Sequence, residues 1–256
     1  MGASEIAVAA GRGRAPAPAD QRRLDSNFFL FLVALIWLGI LMGFMPEIAQ
    51  RVHSQRPFPT VVYYHGAVFV AWLGVLSAQL LLIRSRRIDL HRELGMAGTA
   101  LYGAMVVLGL TTSVVVDHHA LGTHASDPAF LSVQLSDMLC FTVLGGAALA
   151  LRSRPDAHKR LILLATIFLA NAGYSRWWAG GLEKVLGDGY IGFWAQMFLS
   201  DLLLVVTIGV YDLVTRRRLY AAYVVAAVAG LAVEFAAVWL YMSPWWKSVA
   251  TGFIGG

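Results

Sequence analysis

The chain has 256 residues, 58% of them hydrophobic and only 14% charged, with a mean hydropathy of +0.65. No water-soluble domain of this length can bury so much apolar surface, so the composition predicts an all-α polytopic membrane protein. The formal charge of +5 would suit nucleic acid in a soluble protein. In a membrane chain the placement of the basic residues matters more than their sum, and membrane lipids replace nucleic acid as the expected partner. One cysteine, Cys140, lies inside an apolar run, which excludes an internal disulfide and a thiolate metal site.

Residues 1–26 are rich in Ala, Gly, Pro and Arg and read as a disordered cytoplasmic tail. The run Ala7-Val8-Ala9-Ala10 is too short for a signal-peptide core, and Ile6 stands where a myristoylation signal needs Ser or Thr. Seven apolar runs follow, at 28–46, 61–83, 94–116, 129–151, 160–178, 192–214 and 219–241, each near the roughly 17–25 residues that a bilayer requires. They make a seven-helix domain over 27–246, with 247–256 as a short C-terminal tail. Tyr63, Tyr64, Trp177, Trp178, Trp194, Tyr220, Tyr223, Trp245 and Trp246 fall near the run ends, where aromatic rings favour the headgroup level.

Two corners repeat one pattern. Arg84-Ser85-Arg86-Arg87-Ile88-Asp89-Leu90-His91-Arg92 and Arg152-Ser153-Arg154-Pro155-Asp156-Ala157-His158-Lys159-Arg160 both read R-S-R followed by D-x-H-[R/K]. A third corner, Arg216-Arg217-Arg218, keeps only the arginines. The fold expected is one leading helix and three hairpins. The tail and these corners hold fifteen of the twenty basic residues; the rest are Arg51, Arg56, Arg176, Lys184 and Lys247. The positive-inside rule then predicts a cytoplasmic N-terminus and an external C-terminus, in a bacterial cytoplasmic (inner) membrane. Small residues at four-residue spacing, Gly95-Thr99-Gly103 in the third run and Ala222-Ala226-Gly230 in the seventh, mark expected helix contacts.

Each ionisable group inside hydrocarbon costs about 2.5–3.5 kcal/mol on insertion and needs a reason. Asp137, Asp201 and Glu234 fall at one depth, roughly 10–14 Å from the outer edge at 1.5 Å per residue. Asn171 joins that layer, with His65 and Arg176 nearer the outside. Asp137 and Asp201 each precede a corner arginine by fifteen residues, so they are matched positions of the repeat. The six residues make either a substrate or proton site open to the outer side, or a set of buried hydrogen bonds and ion pairs such as Arg176 with Asp137 or Glu234. His65, Trp72 and Gln79, seven apart, line one helix face as a cofactor or proton path or as packing residues.

His91 and His158, at equal depth, are candidate axial ligands of haem b, with Arg92 and Arg160 for its propionates. Alternatively Asp89 and Asp156 cap helix N-termini while the basic residues set topology and meet lipid phosphates. His118, His119 and His124 sit close enough together to suggest a zinc or copper site, or simply a solvated loop. Lys159, Lys184 and Lys247 all lie outside the middle of a span, which excludes a retinal Schiff base.

The boxes His65-Gly66…Trp72…Gln79, His91-Arg92-x-Leu94-Gly95 and Pro155-Asp156-x-His158-Lys159-Arg160-Leu161 resemble a family of uncharacterised bacterial seven-helix membrane proteins, over about residues 60–215. The HR-x-LG and D-x-H-K-R-L corners are also similar to those of families compared with transmembrane b-type cytochromes. Those cytochromes hold their axial histidines deeper in the helices, and the third corner here reads Arg218-Leu219-Tyr220 with no histidine. Function is therefore expected to be one of two kinds. The first is a redox protein or subunit holding haem b or quinone. The second is a cofactor-free transporter, or an accessory subunit of a homo-oligomer or larger complex.

Overall fold

The computed structural model describes residues 18–54 and 57–255, all of whose regular structure is helical. Eight helices follow in order: α1 (Pro18–Ser54), α2 (Thr60–Arg84), α3 (Ile88–Ala120), α4 (Leu131–Ala150), α5 (Pro155–Leu186), α6 (Tyr190–Arg216), α7 (Ala221–Tyr241) and α8 (Pro244–Gly255). A 3₁₀ turn, Pro128–Phe130, leads into α4. Six helices are long and apolar enough to cross a membrane: α1, α2, α3, α4 with its leading turn, α6 and α7.

The helix not among those six, α5, is the one around which the others are arranged. It packs against α1, α4, α6 and α7 and is buried almost without interruption from Arg160 to Tyr174. A helix ringed by protein has little lipid to satisfy, so it can be less apolar than its neighbours. Arg160, Thr166 and Asn171 are buried on it.

The helices overrun the runs expected from hydropathy. Residues 18–26, expected in the disordered tail, are helical as the start of α1, and most of the expected C-terminal tail is α8. The remainder of the tail, residues 1–17, and Arg56 lie outside the described residues. At the first and third corners the chain turns through left-handed residues, Arg86 (φ 60°) and Arg217 (φ 56°), which end α2 and α6 sharply. Neither Asp89 nor Asp156 caps a helix. The N-caps are Arg87 and Arg154, and the acids are the second residues of their helices, within the first turn, where the positive helix terminus favours them. Asp156 also pairs with Lys159 at 3.2 Å.

Glycine sets the closest approach between helices, but not at the stripe expected on α3. Gly95 is half-buried, with room for a Cβ in ordinary contact with Gln79 (3.6 Å), while Thr99 and Gly103 face outward and a Cβ on Gly103 would meet nothing. The tight crossing is α1 against α5, where Gly39 and Gly43 meet Gly173 backbone to backbone. The α7 stripe does pack inward: Ala226 and Gly230 are buried, and Gly230 lies on the ring of Phe168. On α2, Trp72 donates to Thr166 Oγ1 at 3.1 Å and sits edge-on to Phe141, which makes it a packing residue of the α2–α5 contact.

Candidate functional site

Four helices bring polar groups to one point in the core. Asn171 of α5 stands at the centre and donates its amide to Asp137 Oδ1 of α4 (2.7 Å) and, more weakly, to Asp201 Oδ2 of α6 (3.3 Å). Ser200 donates to the other Asp201 oxygen at 3.1 Å. Glu234 of α7 lies beside Asp201 and Trp194. Asp201 and Glu234 are 0% and 1% exposed, and both Glu234 oxygens lack a hydrogen-bond partner. The nearby indole N–H of Trp194 is likewise buried and unpartnered. Asp137 is the least buried of the three acids. Cys140, one turn along α4 from Asp137, is within electrostatic reach of all three acids.

Three carboxylates therefore converge with two neutral donors, and among the described residues none of the three forms an ion pair. The arginine expected to balance them is committed elsewhere. Arg176 pairs with Glu47 of α1 at 3.3 Å, donates to the Ala172 carbonyl at 2.6 Å and lies over the ring of Phe44. It stands five residues from Asn171, about 140° around the helix, and so faces α1. His65 also stays apart. Its ring stacks near Phe69 with centroids 4.1 Å apart, and its Nδ1 is buried without a partner. Of the six residues of the expected site, the fold joins Asp137, Asn171, Asp201 and Glu234.

A second polar cluster sits at the opposite end of these helices and adds Asp25, Tyr211 and Asp212 to the corner residues. Arg160, 0% exposed, makes a two-pronged contact with Asp212 of α6, Nε to Oδ2 at 2.6 Å and Nη2 to Oδ1 at 2.5 Å. Its Nη1 donates to the Asp156 carbonyl at 2.8 Å, and the Tyr220 ring covers its face at 3.7 Å. Arg216 bridges Asp212 and Asp25 of α1, and Asp25 also receives Lys159 (2.9 Å) and Tyr211 (2.7 Å). This network ties α1, α5 and α6 together. Asp212 lies in the apolar run 192–214 as Asp201 does, and that position was the available signal. Asp25 was hidden by the polar composition around it.

The network bears directly on the expected haem ligands. Arg160 is spent on Asp212 and cannot receive a propionate, which leaves Arg92, on the surface. His158 gives Nδ1 to the Ala148 carbonyl (2.8 Å) at the end of α4, satisfying a terminal acceptor and leaving Nε2 free. His91 has a buried Nδ1 with no partner. α4 packs against both helices that carry the two histidines, and His91 and His158 remain within electrostatic reach of each other.

The histidines at the other end also take positions of their own. Asp117, His118 and His119 belong to the last turns of α3, and His118 Nδ1 contacts the Ile254 carbonyl of α8 at 2.7 Å. His124 is exposed in the following loop. Among the described residues no three His, Cys, Asp or Glu side chains are grouped so as to hold a metal ion. Comparison with known protein families, characterised proteins and solved structures finds no match for this chain, so the likeness of its corner motifs to other membrane proteins has no whole-chain similarity behind it.

Proposed function

We propose that this protein is a seven-span membrane carrier, or a proton-handling subunit of a larger membrane assembly, that works through the carboxylates Asp137, Asp201 and Glu234. The observation that carries the reading is their convergence on Asn171 without a basic partner. Such a group would be expensive in a low-dielectric core unless a mobile positive species shares it. Each carboxylate can carry a proton, and among the described residues no three acidic, His or Cys side chains are grouped to hold a metal ion, so the species favoured is the proton. Asp137, the least buried of the three, is the point of entry, and Glu234, whose two oxygens have no hydrogen-bond partner, is a buried acceptor beside Asp201.

The reading includes the topology. The 32-residue α5 lies between α4 and α6 along most of its length, which supports a seventh crossing. The arginine-rich corners then face the cytoplasm together with the N-terminus, and the carboxylates lie toward the outer side. The likeness of the corners to bacterial multi-pass proteins favours a bacterial cytoplasmic membrane.

The test is proton flux into liposomes containing the purified protein and a trapped pH-sensitive dye, under an imposed membrane potential. Asp201→Asn and Glu234→Gln are expected to abolish the flux while leaving thermal stability equal or higher, because each removes an uncompensated buried charge. Flux unchanged in both variants, or loss of folding in both, would mean that the cluster is structural glue.

A second reading, a redox protein holding haem b or quinone, rests on the free Nε2 of His158 and the unpartnered Nδ1 of His91. Purified protein without a Soret band excludes its haem form.

A further inference from the structure

The final helix, α8, carries a feature independent of the carboxylates. Its twelve residues begin just after α7, with only Met242 and Ser243 between. It packs against the 3₁₀ turn before α4, the end of α3 and the end of α7, so it lies across one end of the bundle. Residues four apart share a row on a helix, and α8 sorts cleanly by row. Trp246, Ala250 and Ile254 form the row against the protein: Trp246 donates to the Ala129 carbonyl at 3.0 Å, and Ala250 and Ile254 are buried beside Leu131. Lys247 and Thr251, with Ser248 beyond them, are polar and exposed. The remaining row, Trp245, Val249 and Phe253, is apolar yet 63%, 42% and 64% exposed.

We infer that α8 is an interfacial helix whose Trp245–Val249–Phe253 row seats in the acyl boundary of the bilayer, with Lys247 and Thr251 turned to the aqueous side. Three observations favour phospholipid as the occupant. The apolar arc is about twice as wide as the protein covers, and its uncovered half is separated from the polar row by the buried one. The first turn of the helix carries a tryptophan suited to the headgroup level. The helix also follows after only two residues on α7, a helix apolar and long enough to cross a membrane, whose last turn exposes Trp239.

A single spin label reads the prediction directly, since the chain has one cysteine and that one is buried. Labels at Val249→Cys, Phe253→Cys, Lys247→Cys and Thr251→Cys, in a Cys140→Ala background or with the buried cysteine retained, are compared in phosphatidylcholine liposomes. The expected result is a ratio of oxygen to nickel-chelate collision rates that rises at 249 and 253 and falls at 247 and 251. Equal access of the water-soluble nickel reagent to all four sites would overturn the proposal. Shielding of 249 and 253 from both reagents, with spin–spin broadening, would also overturn it and show that a second copy of the chain covers the row.

Discussion

Arg160 and Asp212 are both 0% exposed and joined by two charge-assisted hydrogen bonds. Taking Asp212 away strips the buried Arg160 of its two-pronged partner and leaves it, as an ion pair, only the longer contact with the Asp156 carboxylate at 3.4 Å, a loss of up to roughly 3–5 kcal/mol, whereas replacing both with apolar residues of similar volume is often close to neutral. Asp212→Ala is therefore expected to lower the thermal unfolding temperature of the purified protein sharply. The double variant Arg160→Met/Asp212→Leu should recover much of the loss, and a double variant as unstable as the single would refute the pairing. The surface pair Arg176–Glu47 is 44% and 36% exposed at its side chains. For such a pair about 0–1 kcal/mol is at stake, so Glu47→Gln should scarcely move the same transition. This contrast also explains what sequence alone could not supply. Depth along a helix is fixed by counting residues, so Asp137, Asp201 and Glu234 could be placed in one layer and were found there. Direction around the bundle depends on which neighbours a helix has, so the partner of Arg176 could not be read.

Among the elements, the same limit separates the small-residue stripes. Four-residue spacing identifies residues that share a face, but it does not say whether that face meets protein or lipid. The α7 stripe turned inward to Phe168, the α3 stripe turned outward at Thr99 and Gly103, and the closest crossing used Gly39, Gly43 and Gly173. A Cβ on Gly173 would lie 2.6 Å from the Gly39 carbonyl oxygen and 2.7 Å from the Ile40 Cα. Backbone cannot swing aside as a side-chain tip can, so Gly173→Ala must push α1 from α5, and overpacking of this kind costs about 1–3 kcal/mol. Gly103→Ala meets open space and replaces a poor helix former with the best one, a gain of up to about 1 kcal/mol. Thermal unfolding in detergent should move in opposite directions for the two variants, although both change glycine to alanine in a long helix. Equal shifts would mean that helix propensity, not the α1–α5 crossing, governs both sites.

For the whole molecule, composition was enough to indicate helices in a membrane, while the least apolar of the long helices proved to be the central one. Hydropathy measures how well a helix suits lipid, and α5 touches mostly protein, so the scale undervalues it. Whether α5 crosses the bilayer decides between six and seven spans, and thus whether the two chain ends lie on opposite sides. Three exposed positions separate these outcomes: Ala125 in the loop before α4, Ser153 in the corner before α5, and Asp188 between α5 and α6. Each can be changed to cysteine against a native Cys140 that is buried. With a membrane-impermeant maleimide on intact cells, Ala125→Cys and Asp188→Cys are expected to react, and Ser153→Cys only after permeabilisation. That pattern follows from the proposed orientation, which turns the arginines of the 152–154 corner to the cytoplasm. Reaction of 153 and 188 from the same side would leave α5 as a helix that does not cross. The carboxylates would then surround a helix that enters the membrane without spanning it, and a transmembrane proton route through Asn171 would lose its scaffold. Reversal of all three positions would keep seven spans but turn the carboxylate cluster toward the cytoplasm.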